Sequence, residues 1–159
     1  LAEKDVPDPV TGLTSKDIAL IKNSWAGPRQ KPTDSGIALF NVFFKNHPEY
    51  QEAFPFRGIP IADLPKNKRF LAHANGVIYG FSSIVDAVDD PEMLVPILSR
   101  IGESHAPRRI DEKSFQDLKE SVLELFSSLF NDEEVAAWKK ALDVAFPVLA
   151  QGFRENRKK

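Results

Sequence analysis

Apolar residues recur at spacings of three and four along most of this chain, and that period limits the fold to packed helices. The clearest example is residues 70–88, where Phe70, Ala74, Val77 and Phe81 form one stripe. Because an α-helix completes a turn about every 3.6 residues, such a stripe becomes a single buried face. No segment shows the strict alternation of a half-buried strand, so the sequence predicts an all-α fold.

Capping residues and prolines divide this pattern into separate helices. Thr14 and Asp17 have the spacing of a capping box, and Gly27-Pro28 is expected to end the helix that they start. Pro48 stops the second helix, and the proline-rich residues 50–68 predict one short helical turn followed by an irregular connection. The predicted helix starts are Thr14, Asp34, Phe70, Asp90, Asp111 and Asn131.

The chain is organised as one domain with two short flanking segments. Its 159 residues, 42% of them apolar, can bury a core without disulfides. Residues 1–13 contain two prolines and no apolar period, and are expected to form an extended N-terminal arm. We expect the helical domain to span residues 14–154 and a charged C-terminal tail to occupy residues 155–159, with fraying from Arg154.

Composition excludes several classes of function. The chain has no cysteine, which excludes disulfides, thiolate zinc sites, iron–sulfur clusters and covalently attached c-type haem. A net charge of −2 gives no basic field for nucleic acid or an anionic membrane, so neither partner is expected. Nucleotide-binding and hydrolase motifs are missing, and we expect no catalytic residues. A cytoplasmic location is expected, with an extracellular one left open because a leader could have preceded Leu1.

Two histidines lie on the apolar sides of two different predicted helices. A single histidine on an apolar face is more often a packed core residue than a ligand. His73 and His105 together, however, can place one imidazole on each side of a flat, apolar, iron-containing cofactor, which points to haem. The apolar residues expected to line its slot are Phe40, Phe54, Val77, Ile101, Ile110 and Leu118.

Two alternative sites would involve the same histidines, but the sequence supports each of them less well than it supports a haem site. A zinc site needs a third close ligand, and His47 and Asp111 are poor candidates because one is distant and the other is a helix cap. A triad of Ser104, His105 and Asp111 fails because adjacent side chains on a helix point in different directions. Haem binding is therefore the favoured interpretation.

Three motifs, in order along residues 13–153, resemble the globin family. HPEYQEAF at 47–54 is similar to the stretch in which a proline starts the short third helix and a phenylalanine, here Phe54, packs on haem. FLAHANGV at 70–77 resembles the distal helix and SHAPRRI at 104–110 the proximal segment. Trp25 and Trp138 also stand where many invertebrate globins have tryptophan. KPTDSG at 31–36, AFPFRGIP at 53–60 and NKRFLAHA at 67–74 look most like arthropod, including insect, intracellular globins.

The resemblance implies a globin fold of about eight helices around a pocket for haem b, iron protoporphyrin IX. His105 would be the proximal iron ligand, and His73 the distal residue that stabilises O2 or itself becomes the sixth ligand. Val77 and Phe40 would lie on the distal side and Ile110 against the porphyrin. On a helix, the His105 ring could donate its Nδ1 proton to the Ile101 carbonyl or the Ser104 hydroxyl.

The implied function is reversible binding of O2, with CO and NO as further ligands, for storage, transport or facilitated diffusion. The alternative is a six-coordinate, bis-histidine globin with an NO-dioxygenase, redox or O2-sensing role. A haem-free interaction module would be expected to have lost one histidine, and this chain keeps both. A secondary NO-dioxygenase or peroxidase-like activity and a homodimer are also compatible with the family.

One position departs from the family pattern. Many globins have a basic residue three positions after the distal histidine, where this chain has Gly76. The haem propionates would then need other partners, and the basic residues near the predicted rim are Lys68, Arg69, Arg108 and Arg109.

Overall fold

The computed structural model describes residues 6–157 and confirms the all-α prediction. Six α-helices and two 3-10 helices form this part of the chain, and it contains no strand. The α-helices are α1 (Ser15–Gln30), α2 (Pro32–Asn46), α3 (Lys68–Asp86), α4 (Pro91–His105), α5 (Lys113–Leu129) and α6 (Asp132–Arg157). The 3-10 helices, Pro48–Ala53 and Ile61–Lys66, both lie between α2 and α3. The sequence had predicted one helical turn in this connection.

Side-chain caps set several of the helix starts. The Thr14 hydroxyl accepts a hydrogen bond from the Asp17 amide at 3.1 Å, and the Asp17 carboxylate accepts from the Thr14 amide at 3.0 Å. This reciprocal pair is the capping box expected from the sequence. Asn131 and Glu134 make the same exchange at the start of α6, at 2.8 and 3.0 Å. Asp90 caps α4 through the Met93 amide.

Several boundaries differ from those predicted. Helices α2 and α3 each begin two residues early, at Pro32 rather than Asp34 and at Lys68 rather than Phe70. Helix α1 continues through Pro28 to Gln30, because a proline removes only its own N–H bond and the boundary is set instead by Pro32, the first residue of α2. Helix α5 begins at Lys113 rather than at Asp111. Helix α6 runs past Arg154 to Arg157, because its last turn packs against the segment after α4.

The N-terminal segment is a turn that holds a core residue, and not an extended arm, over the residues that the structure describes. The Asp8 carboxylate accepts hydrogen bonds from the Val10 and Thr11 amides, and Gly12 takes a φ of 73°. A left-handed φ of this kind favours glycine. The turn directs Leu13 into the core, where its side chain is 2% exposed. Residues 1–5 of the predicted arm and 158–159 of the predicted tail lie outside the described residues.

The helices pack most extensively in two pairs, α4 with α6 and α2 with α3. Glycines permit each crossing. A Cβ atom at Gly36 would lie 2.6 Å from the Ala74 carbonyl oxygen, and one at Gly152 would lie 2.5 Å from the Ser99 carbonyl oxygen. A Cβ atom at Gly102 would overlap the Leu149 carbonyl. The two backbones in each pair therefore approach more closely than any side chain would allow.

Two tryptophans and a phenylalanine form the centre of the largest apolar cluster. The rings of Trp25 and Trp138 are 5.7 Å apart, and Phe126 lies 4.7 Å from Trp138. The Trp138 indole donates to the Ser24 hydroxyl at 2.8 Å and the Trp25 indole to the Ser82 hydroxyl at 2.9 Å. These bonds satisfy the buried indole N–H groups and fix how α1, α3 and α6 meet. Among residues 6–157, no helix is long and apolar enough to cross a membrane.

Because α4 and α6 touch at Gly102, we expect Gly102→Ala to lower the stability of the fold substantially. The added methyl would force the two backbones apart, so we expect the free energy of unfolding to fall by about 1–3 kcal/mol or more in urea titrations. Gly80→Ala is the matched control, because its Cβ would meet nothing within 4 Å and alanine favours the helix by about 0.5–1 kcal/mol. Equal stability of the two variants would contradict this account of the crossing.

Candidate functional site

His105 is the last residue of α4, and its ring is held in one orientation. Its Nδ1 lies 2.7 Å from the Ile101 carbonyl oxygen, one turn back along the helix. Because a carbonyl can only accept, Nδ1 carries the proton and donates it, as the spacing had predicted. The Ser104 hydroxyl donates to the same carbonyl at 2.7 Å. The Nε2 lone pair of His105 is left free to bind a metal.

His73 lies on α3, within a group of aromatic rings. The Asn67 side chain caps α3 by accepting from the Phe70 amide at 3.0 Å. The His73 ring centroid is 5.1 Å from that of Phe40 and 4.8 Å from that of Phe54. Phe56, which the sequence did not place at the site, stacks on Phe54 at 4.9 Å and lies 6.2 Å from His73. The side chains that surround His73 are therefore aromatic.

Burial and nearby positive charge keep His73 neutral. The pKa of His73 is lowered to about 4, mainly by burial and in smaller part by the charges of His105 and Arg108. A neutral imidazole has one donor nitrogen and one acceptor nitrogen at physiological pH.

The apolar residues predicted for the site lie where two core clusters meet. Phe40 and Phe54 belong to the cluster around His73, whereas Ile101 and Ile110 pack against the cluster that contains Phe115. Val77 and Leu118 pack against both clusters and so connect them. The predicted apolar residues are thus divided between two adjoining clusters, and Val77 and Leu118 are the ones that pack against both. Five of these six apolar side chains remain half-buried, as expected for walls of an open slot: Phe54, Val77, Ile101, Ile110 and Leu118.

This arrangement fits the chemistry of haem. The slot is apolar, as a porphyrin requires, and carries a free imidazole nitrogen on one side and a neutral imidazole on the other. Phe115 packs edge-on to His105 at 5.7 Å and supports that ring. Within residues 6–157, no three His, Asp or Glu side chains lie close enough to hold a metal ion by themselves.

The corner between α2 and α3, which carries Phe54, is held by hydrogen bonds from two polar side chains. The sequence did not predict these bonds. Gln51, which is buried, donates to the carbonyls of Phe56 and Ile59 at 3.1 and 2.8 Å. The Tyr50 hydroxyl donates to the Asp117 carboxylate at 2.5 Å. A run of polar residues on the buried face of α5, at 114, 117 and 121, is the sequence signal that could have indicated a polar contact there.

The last turn of α6 holds the segment between α4 and α5, on the other side of the slot, through hydrogen bonds. The Arg157 guanidinium donates to the carbonyls of Arg108 and Ile110 and lies 5.0 Å from the Phe153 ring centroid. Arg154 pairs with Glu112 in the same region. The residues expected to fray therefore hold the segment that carries Ile110.

Comparisons with known proteins agree with this geometry. The globin family model matches residues 37–149. Globin CTT-Z of Chironomus thummi piger is 30% identical over 145 residues, covering 87% of this chain and 86% of that protein. A Drosophila melanogaster globin structure is 33% identical, with a TM-score of 0.82 over 87% of this chain and 94% of that one. A D. melanogaster structure described as a hexa-coordinate haemoglobin is 32% identical, with a TM-score of 0.81 over 86% and 93%.

An all-α fold that carries an imidazole on each of two helices, beside clusters of apolar side chains, has the features of a haem-binding fold. This chain belongs to the globin family, since the family model covers most of its length. The fold is the globin fold expected from the sequence, and membership of the family implies haem binding.

The Tyr50–Asp117 bond predicts a specific loss of stability in Tyr50→Phe. The variant would leave a buried carboxylate short of a donor, so we expect the free energy of unfolding at pH 7 to fall by about 1–3 kcal/mol. Burial and the bond to Asp117 raise the pKa of Tyr50 above its usual 10.0. The unfolded chain therefore loses the Tyr50 proton at a lower pH than the folded chain, so the free energy of unfolding of the wild type falls as the pH rises above 10. Tyr50→Phe has no hydroxyl at this position and lacks this part of the decline.

Tyr79→Phe is the matched control, because Tyr79 is 60% exposed and its change should move stability by less than about 0.5 kcal/mol. Urea titrations of both variants at pH 7 and pH 10.5 would measure the effect. The same small change in both would contradict the role given to Tyr50.

Proposed function

We propose that this chain binds haem b, iron protoporphyrin IX, between α3 and α4, and that it carries O2 reversibly for storage, transport or facilitated diffusion. The observation that carries the proposal is the His105 Nδ1–H bond to the Ile101 carbonyl, which leaves Nε2 as the ligand atom of that ring, while the neutral His73 lies among aromatic rings on α3. Haem, when bound, supplies the iron atom at which a diatomic gas such as O2, CO or NO binds reversibly. Binding rather than catalysis is the proposed activity.

His105 would hold the iron from the proximal side. Its Nδ1–H bond to the Ile101 carbonyl fixes the tautomer, orients the ring and raises the basicity of Nε2. Phe115 at 5.7 Å restricts rotation of the ring. The residue is thus oriented before any ligand arrives.

His73 would stabilise O2 on the distal side. A neutral imidazole can donate its Nε2 proton to the partly negative oxygen, a bond that CO accepts more weakly. Such a charge-assisted bond contributes about 1.5–3 kcal/mol. Phe40 and Phe54, at 5.1 and 4.8 Å from His73, would exclude water from this bond. Val77 and Leu118 would line the slot between the two sides.

Arg108 is the basic residue best placed for a haem propionate. Its positive charge contributes to the lowered pKa of His73, which favours it as the propionate partner. Arg157 holds the Arg108 backbone through the carbonyl at 3.2 Å. Of the four basic residues considered from the sequence, Lys68, Arg69 and Arg109 have no such link to the site among the contacts described.

A specific observation also supports the six-coordinate alternative. The neutral His73 ring has a nitrogen lone pair and could bind the iron itself. The D. melanogaster structure described as a hexa-coordinate haemoglobin is 32% identical to this chain. A bis-histidine protein of this kind would serve NO-dioxygenase, redox or O2-sensing chemistry instead of O2 delivery. A minor NO-dioxygenase or peroxidase-like activity would suit either form.

The cytoplasmic location and the homodimer expected from the sequence stay predictions. Sedimentation of the haem-loaded protein over a range of concentrations would measure its oligomeric state, and localisation of the full-length protein in cells would establish its compartment.

Absorption spectra of the dithionite-reduced protein under nitrogen test the two forms directly, together with His73→Leu. The proposal expects one broad visible band that splits into two in air. It also expects His73→Leu to release O2 about tenfold to a hundredfold faster in stopped-flow measurements, because the stabilising bond is lost. Tyr79→Leu is the control, since Tyr79 lies on the same helix as His73 and is 60% exposed. Two sharp bands without gas that His73→Leu abolishes would establish the six-coordinate alternative.

His105→Gly should abolish stable retention of haem unless imidazole is supplied in solution. The small ligand would restore iron coordination in the vacated space, which a purely structural role of His105 would not allow. The Soret band after gel filtration, with and without imidazole, measures the effect, and Glu103→Gly, at an exposed position of the same helix, serves as the control. Unchanged spectra in His105→Gly would remove the ligand assignment.

A further inference from the structure

Tyr50 is one of only two tyrosines in the chain, and its hydroxyl is bonded to a buried carboxylate. The hydroxyl donates to Asp117 Oδ2 at 2.5 Å, within the range of charge-assisted bonds between a hydroxyl and a carboxylate. The Asp117 side chain is 8% exposed, so this bond is largely shielded from water. The phenol proton of Tyr50 therefore already points at a base.

The same carboxylate oxygen has two nitrogen atoms close to it. Lys113 Nζ lies 3.6 Å from Asp117 Oδ2, one turn earlier on α5, and His47 Nδ1 lies 3.9 Å from it. An ionised carboxylate only accepts hydrogen bonds, and it can take up the proton of one of them completely. Asp117 is thus placed as a proton acceptor for Tyr50.

A continuous line of packed rings joins Tyr50 to His73. The Tyr50 ring stacks on Phe43, with 5.2 Å between the ring centroids and 12° between the planes. The Phe43 centroid is 6.1 Å from that of Phe40, which is 5.1 Å from that of His73. Both phenylalanines are buried. The phenol is therefore connected to the distal side of the proposed haem slot by side chains in close contact.

The other aromatic rings that can be oxidised have weaker proton acceptors. The indole N–H groups of Trp25 and Trp138 donate to the hydroxyls of Ser82 and Ser24, and a neutral hydroxyl is a much weaker base than a carboxylate. Tyr79 is 60% exposed, so its hydroxyl proton could pass only to water or a solute. Loss of an electron makes a phenol strongly acidic, so oxidation is easiest where a base takes the proton at the same time. The bond to a carboxylate favours Tyr50 on this ground.

We propose that Tyr50 is an internal electron donor to the haem site after that site has been oxidised by a hydroperoxide, an inference that rests on the haem binding proposed above. The hydroperoxide takes two electrons from the haem site and two protons from solvent, and becomes an alcohol and water. Tyr50 returns one electron, and its phenol proton moves along the hydrogen bond to Asp117 Oδ2. The products are a neutral tyrosyl radical and a neutral carboxylic acid, and the haem site is left one electron short of its ferric state.

This transfer brings the site of oxidation out of the aromatic pocket. Tyr50 is half-buried, whereas Phe40 and Phe43 are buried, so a solute can reach the phenol ring without entering the slot. The substrate class is therefore a small one-electron reductant in solution. It gives one electron to the Tyr50 radical, and the proton returns from Asp117 to the phenol oxygen.

Freeze-quench electron paramagnetic resonance of the ferric, haem-loaded protein mixed with hydrogen peroxide tests the proposal. Wild type should give a tyrosyl radical signal, which ring-deuterated tyrosine identifies by narrowing it. Tyr79→Phe should retain the signal, and because Tyr50 is then the only tyrosine in the chain, that signal belongs to Tyr50. Tyr50→Phe should lose it, while its Soret band and circular dichroism show that it is folded. The Tyr79→Phe result decides the assignment even where Tyr50→Phe does not fold.

Asp117→Asn tests the proton transfer, because the amide oxygen can accept the hydrogen bond but does not hold the transferred proton. We expect this variant to lose most of the tyrosyl signal. Glu120→Gln is the matched control, since Glu120 is exposed on the same helix, and its signal should equal that of wild type. In Tyr79→Phe, heavy water should slow the appearance of the signal, because the step that forms it moves a proton.

No tyrosyl signal in Tyr79→Phe, or a signal of wild-type size in Tyr50→Phe, would overturn the proposal. A full signal in Asp117→Asn together with no effect of heavy water would overturn the coupled transfer of the proton. A chain that shows no Soret band after haem is supplied would remove the proposed function and this inference together. A normal Soret band and O2 spectrum without a Tyr50 radical would overturn this inference alone.

Discussion

The close approach of backbones at glycine determines where both histidines lie. Gly102 and Gly152 let α4 lie directly on α6, and His105 follows Gly102 by three residues on the same helix. On the other side, Gly36 lets α2 meet α3 at Ala74, the residue next to His73. Each imidazole is thus carried by a helix that touches its partner helix within one turn of the histidine. The position of each histidine relative to the partner helix therefore follows from a backbone contact.

Polar contacts on either side of the slot complete this arrangement. The aromatic rings around His73 bury it, but their packing is not directional. The hydrogen bonds of Gln51 and Tyr50 are directional, and they fix the corner from which Phe54 projects. On the proximal side, Arg157 does the same for the corner that carries Ile110. A slot that must stay open for a flat cofactor cannot be held by close packing of its own walls, so the rigid contacts lie outside it.

The sequence predicted what depends on neighbouring residues and missed what depends on distant ones. Helical periodicity, the Thr14–Asp17 capping box and the positions of His73 and His105 on apolar faces could all be read within a few residues. The continuation of α1 through Pro28 and of α6 to Arg157 could not, because each depends on a partner element elsewhere in the chain. The apolar site residues were predicted as side chains that could form a slot between the two histidines. The Tyr50–Asp117 bond that supports one of them was missed, although polar residues at 114, 117 and 121 on the buried face of α5 are a signal for a polar contact there.

The bonds from Arg157 to the carbonyls of residues 108 and 110 have a practical consequence for work with this protein. A shortened chain that ended at Phe153 would keep every residue of the slot but would release the proximal corner. An affinity tag joined directly after the last helix could disturb the same corner by pulling on its final turn. Recombinant versions intended for spectroscopy are therefore better tagged at the opposite terminus, where the turn at Asp8 separates the added residues from α1.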